Sequence, residues 1–153
     1  KDLNVVVGYI EHIVKTVEIL IGVKGKIEKG LMYTERYTNR FIDEKLKENI
    51  AQFGVEMEYP DPAMKYGASD IGNVSLKIPS IHSYIKIADR GVNTHSIDFT
   101  KAANSSRGHK QMIKAAKAMA LTGYDIFKDE NLRRNIDEEF NNTVPKYSEE
   151  ELK

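Results

Sequence analysis

The chain has 153 residues, of which 41% are hydrophobic and 30% charged, and these values predict a globular protein with one core. The 23 basic and 23 acidic side chains balance, which argues against nucleic acid or an anionic membrane as a partner. Cysteine is absent, which excludes disulfides and thiolate metal sites. No apolar run is long enough to span a membrane and no signal peptide is evident. We therefore expect a cytoplasmic protein.

The first thirty residues predict a helix followed by an edge strand. Apolar residues recur at three- and four-residue steps from Leu3 to Ile21, and Gly22 is suited to end the helix in a left-handed conformation. Polar and apolar residues then alternate from Val23 to Leu31, as expected of a half-exposed strand. The chain begins without methionine inside this helical pattern, so we also expect it to be a fragment.

The rest of the chain predicts helices that alternate with short strands. Apolar runs at Val55–Tyr59 and Ile81–Ile87 are typical of strands, and the prolines between residues 60 and 62 predict an irregular loop. Polar residues at the expected helix starts predict N-caps for three helices, near 41–54, 107–127 and 130–140: Asn39 or Asp43, Ser105 or Ser106, and Asp129. We therefore expect an α/β fold in which helices pack on a small mixed sheet.

The candidate chemistry lies between Tyr66 and Ala103. His82 falls on a predicted strand and His95 on the loop just beyond it, where open α/β sheets usually bind ligands. His95 is the better candidate for a metal ligand because small polar residues flank it, although an ordinary loop histidine fits the same pattern. Asp70 could orient a metal ligand or cap a short helix that Gly72 interrupts. From the residues alone, these features support only a metal-site hypothesis.

The same stretch resembles part of a known enzyme family. The resemblance is carried by the run GASDIGNVS from Gly67 to Ser75, by the motif P-x-I-H that ends at His82, and by T-H-S-x-x-F from Thr94 to Phe99. These motifs resemble the C-terminal part of the aminoacylase-type metallopeptidases and amidohydrolases, which include p-aminobenzoyl-glutamate hydrolase and related dipeptidases. The likeness extends over roughly residues 3 to 140.

The resemblance implies a division of the chain. Residues 1–31 would be the helix and edge strand that end a lid or dimerisation domain. Residues 32–140 would be the C-terminal part of a zinc-exopeptidase-like catalytic domain, and residues 141–153 a flexible tail. It also implies a homo-oligomer and a substrate that is a small peptide or an N-acyl amino acid.

The resemblance also implies roles for particular residues. His95 matches the family's final metal ligand, and the cofactor would be a divalent metal, with zinc the expected ion. Asp70 matches an acidic position that shapes the site, and Ser69 and Gly67 precede it in the same turn. These residues and His82, a histidine typical of the subgroup, would support the metal ligands or contact the end of the substrate.

The chain departs from the family at the catalytic residues. It contains no His-x-Asp motif, and its Glu-Glu pairs follow His95 instead of preceding it. The first metal ligands and the general base are therefore absent, so we expect no catalytic residue in this chain and no activity from it alone. Two alternatives stay open: a non-catalytic α/β binding or dimerisation module, and a folded remnant of a broken gene.

Overall fold

A computed structural model describes residues 2–59 and 67–147 of the chain. The predicted loop at Pro60–Pro62 and residues 148–153 of the predicted tail lie outside the described residues. The chain divides into two compact units, Lys1–Met32 and Tyr33–Lys153. Six helices are described: α1 (Asp2–Ile21), α2 (Arg40–Ala51), α3 (Ile71–Ser75), α4 (Ile97–Ala103), α5 (Ser106–Lys128) and α6 (Glu130–Thr143).

The first unit consists of α1 and the segment that folds back along it. Gly22 adopts a φ of +72° and ends the helix, which confirms the predicted left-handed cap. Two polar contacts tie the returning segment to the helix. The backbone N–H of Gly25 donates to the Glu18 carboxylate at 2.7 Å, and Lys29 Nζ lies 2.6 Å from Glu11 Oε1. These contacts hold residues 23–29 against α1.

The second unit is built around the packing of α5 on α2, with α4 and α6 at its sides. Leu46 and Ile50 of α2 meet Ala118 of α5, which is completely buried. Polar side chains join the same two helices, because Asn49 Nδ2 donates to Thr122 Oγ1 at 3.1 Å and to Asp125 Oδ2 at 2.9 Å. The small side chain of Ala118 and the paired polar groups therefore allow a close approach of the two helices.

The predicted N-caps of the long helices are confirmed. Asn39 accepts a hydrogen bond from the backbone N–H of Ile42, and Ser105 accepts one from Gly108. Asp129 accepts from the backbone N–H groups of both Asn131 and Leu132. Each cap satisfies backbone donors that have no partner within their own helix.

The predicted α/β fold is wrong for the described residues, since all of their regular secondary structure is helical. The three predicted strands (Val23–Leu31, Val55–Tyr59 and Ile81–Ile87) have no regular secondary structure. The apolar residues of two of these segments are nevertheless partly buried, because Val55, Met57, Ile81 and Ile85 pack against the core. A strand needs a ladder of backbone hydrogen bonds to a neighbour as well as a buried face, and these segments form no ladder.

The large apolar side chains of α5 do not form its buried face. Met112, Met119 and Phe127 are largely exposed, and Phe127 reaches 83% exposure. The buried positions of α5 are Gly108, Ala118 and Thr122. The helix therefore presents its small side chains to its neighbours, because these permit the shortest distance between helix axes.

None of the helices in the described part of the chain is both long and apolar enough to cross a membrane.

Candidate functional site

The turn before α3 places Ser69 and Asp70 at a helix start, but the predicted cap is wrong. Asp70 occupies the first position with φ −61° and ψ −16°, a helical conformation, and its side chain makes no capping hydrogen bond. A capping side chain works from an extended residue, which allows it to turn back to the helix N–H groups. The Ser69 hydroxyl instead lies 3.4 Å from the backbone nitrogen of Ile71 and 3.3 Å from Asp70 Oδ1. The Asp70 carboxylate is consequently exposed and available to other groups.

The segment from Thr34 to Tyr37 holds this turn in place. Gly72, which was expected to interrupt the helix, lies within α3 and is buried against the backbone of Thr34. A Cβ atom at Gly72 would lie 2.1 Å from the Thr34 carbonyl oxygen, so only glycine fits this approach. The hydroxyl of Ser75, which is fully buried, accepts a hydrogen bond from the Tyr37 backbone N–H at 3.0 Å.

His82 makes two side-chain contacts that fix its ring. Arg36 Nη1 lies 3.0 Å from His82 Nδ1, and the ring stacks on Tyr84 with 4.8 Å between centroids. Because a guanidinium group can only donate, Nδ1 is the acceptor and the proton of the neutral ring is on Nε2. The contact with Arg36 therefore makes Nε2 the N–H donor of the ring, and no hydrogen bond in the described part of the chain uses it.

A groove of about 770 Å³ runs beside His82 in the second unit. Segments 55–58 and 81–90 form its walls, and Gln111, Ala115 and Met119 of α5 line its floor. Gln111 Nε2 donates to the Lys86 carbonyl at 3.4 Å, while its buried Oε1 has no partner among the described residues. The lining of the groove is mixed, with apolar side chains beside charged ones that include Glu56, Lys86 and Asp89, and with His82 and Tyr84 among its residues.

His95 lies in an exposed position just before α4, with a φ of +61°. It is the one residue other than glycine with a positive φ in the described part of the chain. The next residue, Ser96, is extended and caps α4 by accepting from the backbone N–H of Phe99 at 3.1 Å. A left-handed conformation costs a residue with a Cβ roughly 1–2 kcal/mol, so the chain holds His95 in a strained conformation.

The predicted site residues make no direct polar contact with one another in the described part of the chain. In the regions 2–59 and 67–147, no hydrogen bond or ion pair joins any two of Asp70, His82 and His95. No group of three or more histidine or acidic side chains in these regions could hold a metal ion. Since a protein metal site normally takes at least three such ligands, the described residues do not form a complete one by themselves.

Burial and polar neighbours shift the pKa values of four groups in the second unit: Tyr37, Asp43, Lys45 and Asp89. Burial, followed by hydrogen bonds to Glu35 and Tyr147, raises the pKa of Tyr37 far above its usual value. Burial also raises the pKa of Asp43, although the Ser83 hydroxyl opposes this effect. The hydrogen bond from Arg107 lowers the pKa of Asp89, which lines the groove. Of these groups, Asp43 alone has a pKa moved towards neutrality, the direction required of a carboxylate general base, and the other shifts are away from it.

Sequence reasoning missed Arg36, the side chain that orients His82. Arg36 lies between Glu35 and Tyr37 in a polar segment that shows no helix or strand pattern. Its contact with His82 spans 46 positions and follows from the way residues 33–39 pack beside α3. No local pattern in the sequence could have indicated it.

Comparisons with known proteins match the chain over most of its length. It is 29% identical over 143 residues to the human protein named Xaa-Arg dipeptidase, a match that covers 92% of this chain and 33% of the human protein. The mouse Xaa-Arg dipeptidase is 28% identical over the same length, with the same coverage. No family model matches the chain.

A third relative matches a shorter part of the chain. One of the subunits of the p-aminobenzoyl-glutamate hydrolase of Escherichia coli K12 is 31% identical over 72 residues, which are 47% of this chain and 15% of the bacterial protein. The chain spans about a third of the length of the dipeptidases that it matches. These relatives, at modest identity, support the family that the motifs indicated, the aminoacylase-type peptidases and amidohydrolases.

Proposed function

We propose that the chain is part of a metal-dependent amidohydrolase or dipeptidase. Its substrates would be small peptides or N-acyl amino acids, cleaved at an amide next to an amino acid that carries a carboxylate. The observation that carries the proposal is the similarity to two Xaa-Arg dipeptidases over 143 residues. The match to a subunit of p-aminobenzoyl-glutamate hydrolase supports it from a relative with a different named substrate.

His95 is the residue that we propose as a ligand of the divalent metal, with zinc as the expected ion. Its exposed position and strained backbone support this role, because strained residues cluster at functional sites. The metal, when bound, supplies an activated water for attack on the amide carbonyl. The other ligands and the base are not provided by the described residues, so the chain alone is proposed to be inactive.

The turn at Gly67, Ser69 and Asp70 is proposed to support the metal site or to contact the end of the substrate. The exposed Asp70 carboxylate supports this role, since its side chain makes no capping bond. His82 belongs to the same proposal because Arg36 and Tyr84 hold it as a fixed N–H donor. A cytoplasmic location completes the proposal.

A second candidate function is a dimerisation module, and the first unit favours it. Ile19, Leu20 and Ile21 at the end of α1 are 80%, 76% and 65% exposed. Burying such side chains against a second copy would release about 25 cal/mol for each Å² of apolar surface removed from water. The two functions are compatible, because an oligomer of the chain could also carry a metal site.

The first experiment is to read the coding sequence upstream of Lys1. The proposal predicts a His-x-Asp motif followed by a Glu-Glu pair in the same reading frame. The protein that it encodes, loaded with zinc, should then hydrolyse Xaa-Arg dipeptides or p-aminobenzoyl-glutamate. An unrelated upstream sequence, or a start codon directly before Lys1, would contradict the catalytic proposal and leave the dimerisation module.

Variants of the extended protein then test the metal ligand. His95→Asn should abolish metal-dependent hydrolysis and weaken zinc binding, because it removes the imidazole while asparagine still tolerates the left-handed conformation. His109→Asn is the matched control, since His109 lies near the start of α5 and carries no proposed role. Equal zinc binding by both variants would contradict the role of His95.

A further inference from the structure

The helix α5 has a second apolar face besides the one that packs on α2. Its members recur at steps of three or four positions, which places them on one side of the helix. All of them are exposed, and none carries a charge. They are Met112, Ala116, Met119, Ala120, Gly123 and Phe127, and together they are named here the exposed α5 face.

The exposed α5 face presents a large apolar surface to solvent. Met112, Met119 and Phe127 are 57%, 66% and 83% exposed. At these fractions the three side chains expose on the order of 400 Å², which is comparable to the largest apolar patch of a typical monomer. A helix that is apolar on two sides is typical of one that lies between two layers of structure. We therefore expect another part of a protein to cover this face.

The groove adjoins the exposed α5 face. Met119 belongs to both, because it also lines the floor of the groove beside Ala115 and Gln111. The buried Oε1 of Gln111 has no partner among the described residues. A segment lying over the groove would bring backbone N–H donors to this oxygen, and buried amide oxygens normally have such a partner. The face and the groove thus form one continuous surface.

We propose that the part of a longer polypeptide that precedes Lys1 packs an apolar segment along the exposed α5 face and over the adjoining groove. This inference rests on the proposed function, in which the chain is one part of an enzyme. The chain spans 33% of the length of each dipeptidase that it matches, so about two thirds of those proteins lie outside the matched region. Segments of one polypeptide meet at a high effective concentration, which favours this contact over one between separate molecules.

A second copy of the chain fits the face less well. Lys110 and Lys128 are exposed near the two ends of α5. In an antiparallel pair of α5 helices centred on Met119, Lys110 of one copy would lie near Lys128 of the other, and the like charges would repel each other. The charges therefore favour a cover from the same polypeptide over self-association through α5.

The test is the rate at which single cysteines on this face react with N-ethylmaleimide. The 153-residue chain contains no cysteine, so Met119→Cys and Phe127→Cys each introduce one defined site that peptide mass spectrometry can follow. Each variant is compared in the chain alone and in the extended protein that the complete reading frame encodes. We expect both sites to react at least about tenfold more slowly in the extended protein, because a covered thiol is protected from the reagent.

Lys110→Cys is the matched control, because Lys110 is exposed on the same helix outside the exposed α5 face. It should react at the same rate in both forms of the protein. Phe127→Cys also serves if Met119→Cys does not fold, since the two positions lie more than one helical turn apart on the same face.

Several outcomes would overturn the proposal. Equal rates at Cys positions 119 and 127 in the two forms would do so, as would a start codon directly before Lys1. Slow reaction already in the chain alone would assign the face to a second copy instead. Hydrolysis by the extended protein is measured separately. Protection without hydrolysis would contradict the proposed function alone, whereas hydrolysis without protection would contradict this inference alone.

Discussion

Asn39 and Ile136 are 97 positions apart, yet they are joined by a buried hydrogen bond in which Asn39 Nδ2 donates to the Ile136 carbonyl at 3.0 Å. The other end of the same amide caps α2, because Asn39 Oδ1 accepts from the backbone N–H of Ile42. The Asn39 backbone N–H also donates to the Ser80 carbonyl at 2.9 Å. One side chain and its backbone thus connect α2, α6 and the segment that leads to His82.

Removing this amide should destabilise the second unit strongly. Asn39→Ala removes the cap, worth about 1 kcal/mol, and a buried hydrogen bond to the Ile136 carbonyl, worth about 1 kcal/mol more. Asn39→Ser keeps a capping oxygen but loses the amide donor, so it separates the two contributions. Urea denaturation should therefore place Asn39→Ser between the wild type and Asn39→Ala.

Asn141→Ala provides the control for these variants. Asn141 is exposed near the end of α6, and its side chain donates to the Asp137 carbonyl of the same helix. We expect a change of less than about 0.5 kcal/mol in the free energy of unfolding, as for most surface substitutions. A loss as large as that of Asn39→Ala would show that the buried bond is not the cause.

Alanine substitutions at two glycines should change the free energy of unfolding in opposite directions. A Cβ at Gly72 would meet the Thr34 carbonyl oxygen at 2.1 Å, so Gly72→Ala should lower the free energy of unfolding by about 2 kcal/mol or more. Gly123 lies inside α5, where a Cβ would meet no atom within 4 Å, so Gly123→Ala should raise it by up to about 1 kcal/mol. Thermal denaturation followed by circular dichroism measures both. A stabilising effect of Gly72→Ala would contradict the close packing of Thr34 on α3.

The pH dependence of stability should reveal the burial of Asp43. Its pKa in the folded chain is raised above the ordinary value of 3.8, mainly by burial, so the folded state keeps this proton at a pH where the unfolded state has lost it. Stability contributed by the protonated form is therefore present below pH 3.8 and is lost as the pH rises through the folded pKa. Asp43→Asn should flatten this part of the curve of unfolding free energy against pH.

Asp98→Asn is the control for the pH experiment, because Asp98 is an exposed residue of α4 that pairs with Lys101. It reports the effect of removing one surface carboxylate. If both variants alter the curve equally in the window above pH 3.8, the effect does not come from the burial of Asp43.

Self-association should depend on the exposed end of α1. Leu20→Lys places a charge among apolar side chains that are largely exposed, and it should shift a dimer towards monomer in analytical ultracentrifugation. Ile97→Lys, at a position of α4 that is also 76% exposed, is the matched control and should leave the distribution unchanged. A wild-type chain that is monomeric at all concentrations would contradict the dimerisation proposal.

Structural features that depend on neighbouring residues were predicted correctly from the sequence. Features that depend on residues distant in the chain were not. Gly22 and the caps at Asn39, Ser105 and Asp129 were correct because a cap is a contact within three or four positions. The strands were wrong because alternation reports a buried face, whereas a strand also needs a partner elsewhere in the chain.

The candidate site follows the same division. The position of His95 in a loop before a helix could be predicted, because Ser96 is a local helix start. Its left-handed backbone could not, since a positive φ is rare for any residue other than glycine, even though histidine adopts it more often than most. The pairing of Arg36 with His82 could not be predicted either, because it joins residues 46 positions apart.

The strained backbone of His95 gives the last prediction. Because His95 is exposed at a φ of +61°, His95→Gly should relieve the steric cost of its Cβ at little loss of packing. Part of that gain is offset by the greater freedom of glycine in the unfolded chain. We therefore expect His95→Gly to be as stable as the wild type or more stable by up to about 1 kcal/mol, and His95→Val to be less stable by about 1–2 kcal/mol, in urea denaturation. A large loss of stability in His95→Gly would mean that the imidazole itself stabilises the fold. The expected result would mean that the fold does not need the His95 side chain for its stability. That result would agree with the proposed role of His95 as a metal ligand.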